Sequence, residues 1–264
     1  MTQSPPPIPS PDPAAGAGTP PVITEDGLLG NRIRLRQPAA GYRAAIDPVF
    51  LAASVQAEPG ERVIDVGAGV GAASFCLAAR MPECRITGIE RQRDLVRLAG
   101  DNAALNQMSG RVAVMAGDLL TPPPRLAPAS FDHAMANPPF LETGTATPPP
   151  NPGRAAAHVE GDAPIEVWVR FALMMVKPKG SITFIHRADR LEMLLAQLAG
   201  RAGEIVIFPL WPRAGQPAKR VVVRARKQVA SPTRLSPGLV LHQPDGRFTP
   251  EADAVLRHAA ALEL

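Results

Sequence analysis

Aromatic side chains are scarce in this 264-residue chain: one tyrosine, two tryptophans and eight phenylalanines. A protein that stacks many bases of a single strand on successive rings needs more than this, so a broad aromatic platform is excluded. Cysteine is scarcer still. Cys76 and Cys84 fit no metal-ligand or Cys-x-x-Cys spacing, the five histidines form no ligand pattern, and no metal is assigned. Cys76 sits in an apolar run and reads as a small core residue. Such cysteine usage suits a reducing, cytoplasmic setting. No run of about 18 apolar residues occurs, so no membrane span is expected. No basic residue precedes Arg32 and no apolar core lies before it, so the start of the chain does not read as a secretory signal.

What is present is an ordinary globular balance, 45% apolar and 20% charged, with a net charge of +4. The 31 prolines are concentrated in a few segments. Residues 1–22, rich in Pro, Ala and Gly, lack the apolar side chains that offset ordering entropy and read as a disordered lead-in. The remainder, 23–264, reads as one domain. It opens on ITEDGLLGNRIRLRQP, a hairpin turning at Gly30-Asn31. Period-2 alternation there places Arg32, Arg34 and Arg36 on one face. Residues 45–56 follow as a short helix capped by Asp47, with Pro48 in its first turn.

From residue 62, strands and helices alternate. RVIDVGAG, RITGIE, RVAVMAGD, FDHAMANPPF and SITFIHR read as strands, and GAASFCLAARM, RQRDLVRLAGDNAALNQM, EVWVRFALMMVK and ADRLEMLLAQLAG as helices. Strands that are apolar almost throughout, separated by amphipathic helices, indicate a mainly parallel sheet covered on both faces, an α/β fold. EIVIFPL and KRVVVRARK have no helix between them and imply a closing antiparallel pair. The chain finishes in a helix with Thr249 as N-cap and Glu251 in its first turn.

The chemistry concentrates at strand ends. After the first strand of this series comes Asp65-Val66-Gly67-Ala68-Gly69-Val70-Gly71, where glycine permits positive φ and a close approach by a ligand. Glu90 ends the next strand, where an acid can accept both hydroxyls of a ribose. Alone, these features also satisfy a relaxed dinucleotide fingerprint, Gly67-x-Gly69-x-x-Ala72, so a nicotinamide or flavin cofactor stands as an alternative. Asp65 adds a carboxylate that can meet a cationic amino group. Asp118 lies where an acceptor can meet an adenine amino group. Asn137-Pro138-Pro139-Phe140 then ends the fourth strand, because two prolines donate no backbone hydrogen bonds and fix φ.

Together, in this order, the four features resemble the class I S-adenosylmethionine-dependent methyltransferases. The resemblance implies a Rossmann-like, mainly parallel seven-stranded sheet with an antiparallel last strand and helices on both faces. It also implies that Asp65, Gly67, Gly69 and Gly71 hold the methionine portion of the cofactor, Glu90 its ribose and Asp118 its adenine.

An exocyclic amine is a poor nucleophile because its lone pair is delocalised. Two acceptors aimed at its N–H groups, the Asn137 side-chain oxygen and the Pro138 carbonyl, would free that pair, with Phe140 stacking on the planar substrate. The motif suits adenine N6, guanine N2, cytosine N4 and the release-factor glutamine amide alike. GYRAAIDPVFLAA, NPPFLETG with RAAAHVE, and PLWPRAGQPAKRVVVRARK are similar to bacterial tRNA (adenine-N6)-methyltransferases acting on the anticodon loop of a valine tRNA. That similarity implies that the segment 23–57, around Asp47, lies over the cofactor. The family more often has Tyr where this chain has Phe140.

Charge supports a nucleic-acid partner. Arg213, Lys219, Arg220, Arg224, Arg226 and Lys227 form a run with no acid, although charged side chains that protect an exposed edge strand would look the same. Lys219 and Arg220, with Arg154 and His158 in the loop 141–163, are the candidate substrate contacts. An N-methyltransferase acting on tRNA adenine is therefore expected. Guanine-N2 or glutamine methylation, a silent RNA-binding protein and a nicotinamide oxidoreductase are the competing readings.

Overall fold

The computed structural model of the protein describes residues 22–40, 43–139 and 163–264. The lead-in through residue 21, Phe140, Arg154 and His158 lie outside the described residues.

The chain begins with an antiparallel hairpin, β1 (Ile23–Leu28) and β2 (Ile33–Pro38), followed by helix α1 (Asp47–Ser54). The alternating series is β3 (Arg62–Val66), α2 (Ala72–Arg80), β4 (Arg85–Glu90), α3 (Arg93–Leu105), β5 (Val112–Ala116) and β6 (Phe131–Ala136). Next come α4 (Ile165–Met175), β7 (Val176–Arg187), α5 (Leu191–Leu198), β8 (Ala202–Trp211) and β9 (Arg220–Lys227). Two short strands, β10 (Arg234–Leu235) and β11 (Leu239–Val240), precede α6 (Pro250–His258).

Seven strands lie in the order β8-β9-β7-β6-β3-β4-β5, and β9 alone among them runs antiparallel to its neighbours. The sheet is larger than the expected seven strands, because β10 and β11 each add a two-residue parallel ladder to β8. These ladders are too short to leave a periodic signal in a segment punctuated by Pro and Gly. They cover the outer edge of β8, while β9 lies in the interior of the sheet, paired with β7 on one side and β8 on the other. The charged residues of β9 are therefore not guarding an open edge.

Strand alternation sorts the core into two layers. Val63, Met135, Ile185 and Val222 pack toward α1, α2 and α6. Ile64, Ala136, Phe184 and Val223 pack toward α4 and α5. Full burial of each Val, Ile or Phe contributes about 1.5–3 kcal/mol, so a one-residue slip of any strand would lose both layers together.

Two local expectations change. Asp47 does not cap α1: the N-cap is Ile46, with no side-chain cap bond. The Asp47 carboxylate instead accepts from Arg220 Nε at 2.9 Å, so a partner 173 residues away wins over its own backbone. Helix α4 ends at Met175, not Lys177, because Pro178 biases the residue before it to extended backbone. Thr249 does cap α6, its side chain accepting from Ala252 N at 3.2 Å. The hairpin turns through Leu29, Gly30 and Asn31, all at positive φ.

Candidate active site

The order β6-β3-β4-β5 brings the tips of four neighbouring parallel strands to one edge of the sheet. Asn137 follows β6, Asp65 lies one residue from the end of β3, Glu90 ends β4 and Asp118 follows β5. The carboxyl edge of a parallel sheet is where α/β proteins bind their ligands, since the strand-to-helix turns open there.

Asp65 is buried and accepts a 2.7 Å hydrogen bond from Ser74 Oγ on α2. Burial pushes its carboxyl up to about 6, against the bonds from Ser74, and the charge of Glu90 adds to the rise. Glu90 braces the glycine turn. Its Oε2 accepts from Gly69 N at 3.0 Å and its Oε1 from Gln92 N at 2.8 Å. Asp118 closes a tight turn by accepting from Leu120 N at 2.9 Å.

The glycines have separate reasons. Gly67 is at φ +70, and a Cβ there would stand 2.3 Å from the Trp168 ring of α4. Gly69 is at φ +55 with open space where its Cβ would point. A cradle of bare backbone with a carboxylate on either side suits a ligand bearing both an ammonium group and a ribose. The donor set therefore fits the cofactor that the motifs implied.

Two residues escaped the sequence reading. Trp168 floors the glycine turn and is itself fixed by a bond from Nε1 to Ala163 O at 3.0 Å. Asn102, fully buried on α3, donates from Nδ2 to Val70 O at 3.1 Å and to Arg36 O at 2.9 Å, and accepts from Arg36 N at 2.8 Å. One amide thus joins the hairpin to the glycine turn. No motif marks either residue, because each acts through partners far away in sequence.

Asn137 sits where the alternation of β6 points it to the same layer as Met135, hence to the same face as Asp65. Pro138 is buried and Pro139 exposed. The basic run divides. Lys219 and Arg220 lie at this edge, Lys219 exposed and Arg220 bound to Asp47. Arg224, Arg226 and Lys227 lie toward the opposite edge and bond to Gln56, Glu204 and Val176 O. Arg34 and Arg36 share an exposed face as expected, but both pair with Glu25 of β1. Among the described residues no cluster of three or more His, Cys, Asp or Glu suits a metal ion. No helix among them is long and apolar enough to cross a membrane.

Residues 45–148 match the methyltransferase small domain family. Over 82% of its length the chain also superposes on 98% of a protein from Agrobacterium tumefaciens described as a predicted O-methyltransferase, with a TM-score of 0.69 and 26% identity. The protein is an S-adenosylmethionine-dependent methyltransferase with a Rossmann-like fold. The methyltransferase is 26% identical, over 83% of its length and 89% of the relative's, to tRNA1(Val) (adenine(37)-N6)-methyltransferase of Porphyromonas gingivalis. It is 23% identical, over 64% of its length and 72% of the relative's, to an rRNA N(6)-adenosine-methyltransferase of Caenorhabditis elegans.

Proposed function

We propose that this methyltransferase transfers the methyl group of S-adenosylmethionine to adenine N6 in a cytoplasmic RNA, with tRNA the first candidate. The single observation that carries the reading is the position of Asn137-Pro138-Pro139, one strand from Asp65 and on the same face of the sheet. The names of the relatives agree with it, both being adenine-N6 enzymes acting on RNA.

In this reading residues 23–264 act as one unit, with 23–57, including Asp47, over the cofactor. Asp65 receives the ammonium group of the methionine portion beside Gly67, Gly69 and Gly71. Glu90 receives the ribose hydroxyls, and Asp118 the adenine amino group. The cofactor supplies an electrophilic methyl group on a sulfonium.

The protein's own contribution is positioning. Asn137 Oδ1 and the Pro138 carbonyl accept the two N–H bonds of the target amine and draw its lone pair toward the methyl group. Prolines 138 and 139 keep these acceptors rigid, so no reorganisation is needed at the moment of transfer. Phe140 stacks on the base. Once methylated, the nitrogen is acidic and releases its proton to water, so no strong general base is required. Lys219 and Arg220, with Arg154 and His158 of the neighbouring loop, belong to the RNA side.

The test offers methyl-labelled S-adenosylmethionine with tRNA, rRNA and release factor separately, followed by nucleoside mass spectrometry. N6-methyladenosine from an RNA fraction supports the reading. Label in N2-methylguanosine or in protein overturns the substrate while keeping the amine chemistry, and label on oxygen overturns both.

A further inference from the structure

Four adjacent strands present one polar side chain each to the same face and the same edge. Val63, Met135, Ile185 and Val222 all pack into the layer of α1, α2 and α6. Two residues toward the carboxyl edge from each stand Asp65, Asn137, Arg187 and Arg220. By the period of two they share that face. The strand order β3-β6-β7-β9 sets them in a rising diagonal: Asp65 level with Met135, Asn137 two residues further toward the carboxyl edge, and Arg187 and Arg220 level with each other beyond it.

Arg187 and Arg220 are direct cross-strand partners. Like charges placed opposite one another destabilise a sheet, and a broken local rule of this kind is where function concentrates. Each arginine has its own acid, but the two pairs differ. Asp47 and Arg220 are largely enclosed, with side-chain exposures of 15% and 31%. Their bond ties α1 to β9. Asp189 and Arg187 are open, at 58% and 39%. They are two residues apart on one turn, with Arg187 Nε donating to Asp189 Oδ1 at 2.9 Å. Arg187 Nη2 also donates to Asp189 Oδ2, so the pair is itself a two-bond fork, but an exposed pair is weakly held, and a phosphate offers the guanidinium the same fork with more charge.

The surroundings are electropositive. Arg190 lies on the turn Ala188–Arg190 directly after β7, and Lys219 is exposed beside Arg220. His186 adds no charge. Its Nδ1 accepts from Arg187 N at 2.7 Å, and its pKa falls to about 4 through burial and then the fields of Arg220 and Arg187.

We infer that Arg187 binds the backbone phosphate of the nucleotide whose amine enters the Asn137 turn, exchanging Asp189 for the phosphate. Ala136, the last residue of β6, aligns with Phe184 on β7; carried one residue on to Asn137, that register puts the backbone of Arg187 one strand across and two residues further, about 8 Å away. With the reach of an arginine side chain, that covers the span from a base edge to its own phosphate. The inference rests on the RNA reading and names a group that holds the substrate, not one that reacts.

The test measures RNA binding against salt, together with methyl-transfer kinetics, for the wild type, R187A, R187K, D189N and R201A. Arg201 is exposed just before β8, at the other edge, and serves as the control. R187A is expected to weaken RNA binding at least tenfold near 0.1 M salt. It should reduce the log–log salt slope by about 0.7–0.9, the release of one counterion. KM for RNA should rise while cofactor affinity stays within twofold. R187K should keep the slope and lose part of the affinity, because a point charge replaces the fork. D189N, on an exposed turn, should bind RNA more tightly, and this arm stands even if R187A fails to fold. R201A should match the wild type. An R187A that binds and methylates RNA like the wild type, or a D189N without effect, overturns the phosphate grip and leaves the methylation reading intact. A wild type that methylates no RNA sinks the reading itself.

Discussion

The two ends of the sheet are built differently. At the amino edge, polar side chains are spent on one another. Asp132 accepts from Arg62 N at 3.0 Å and from Lys177 Nζ at 2.5 Å, and His133 lies 2.7 Å from both Ser181 and Glu61. Arg226 reaches Glu204, Arg224 reaches Gln56, and Arg62 covers the Phe131 ring. At the carboxyl edge Asp47 and Asp189 pair with arginines, but the three acids around the glycine turn do not pair with any cation among the described residues. Asp65 is buried against its own ionisation, Glu90 props up a bare glycine, and Asp118 holds one amide. The first edge closes the fold, while the second carries burial and backbone conformations that the fold alone does not need. The same residue types therefore carry different meanings at the two ends.

The strongest way to break this contrast is Asn137→Ala. Removing one preorganised polar contact from a transition state costs about 10²–10³ in kcat. Single-turnover transfer should fall by that much, with cofactor affinity within a few-fold by calorimetry. A collapse of cofactor binding would remove the amine-clamp role. Gly67→Ala tests the glycine turn as architecture. A left-handed φ and a 2.3 Å approach to Trp168 should together cost about 2–4 kcal/mol in urea unfolding. An unchanged midpoint would mean that the Trp168 floor yields.

Asp65→Asn should separate stability from function. The folded carboxyl titrates near 6, above its ordinary 3.8. The folded state therefore holds more protons than the unfolded state between these values, and wild-type stability falls as pH rises from about 4 to 6. The variant should lack that slope and be more stable above pH 6, on the order of 1–3 kcal/mol, while binding the cofactor more weakly. Parallel stability profiles would show that burial of the charge is relieved.

Asp132→Ala, at the other edge, should be the mildest: about 1 kcal/mol of stability, with transfer per folded molecule unchanged. Burial pushes the Asp132 carboxyl up, but Lys177 and the Arg62 amide hold it below its usual range. Its contribution is present at neutral pH and is lost as pH falls through that depressed pKa, so the gap to wild type should close in acid. A large loss of transfer in this variant would join the two edges functionally and dissolve the contrast.

Much of this was legible in the chain. Apolar strands alternating with amphipathic helices give the seven main strands, and two consecutive prolines mark the end of β6. The glycine turn and its acids announce themselves by spacing. What was hidden lies across the fold. Arg220 and Arg226 look like members of one basic cluster, yet they occupy β9, which at about 3.3 Å per residue carries them to opposite edges. Asp47 looked like a helix cap because the sequence does not reveal Arg220 as its partner. The ladders of β10 and β11 are too short for any period to show.

The amide of Asn102 has a consequence for how the protein assembles. Together with Asn106, whose side chain accepts from Arg34 N at 2.9 Å and donates to Arg34 O at 2.7 Å, it imitates a neighbouring strand along the open side of β2. The Arg36 peptide is synthesised 66 residues before Asn102. During translation, the outward peptide groups of β2 face water until α3 arrives. The same Asn102 side chain holds the carbonyl of Val70, so the contact that docks the amino-terminal hairpin is also one that fixes the glycine turn.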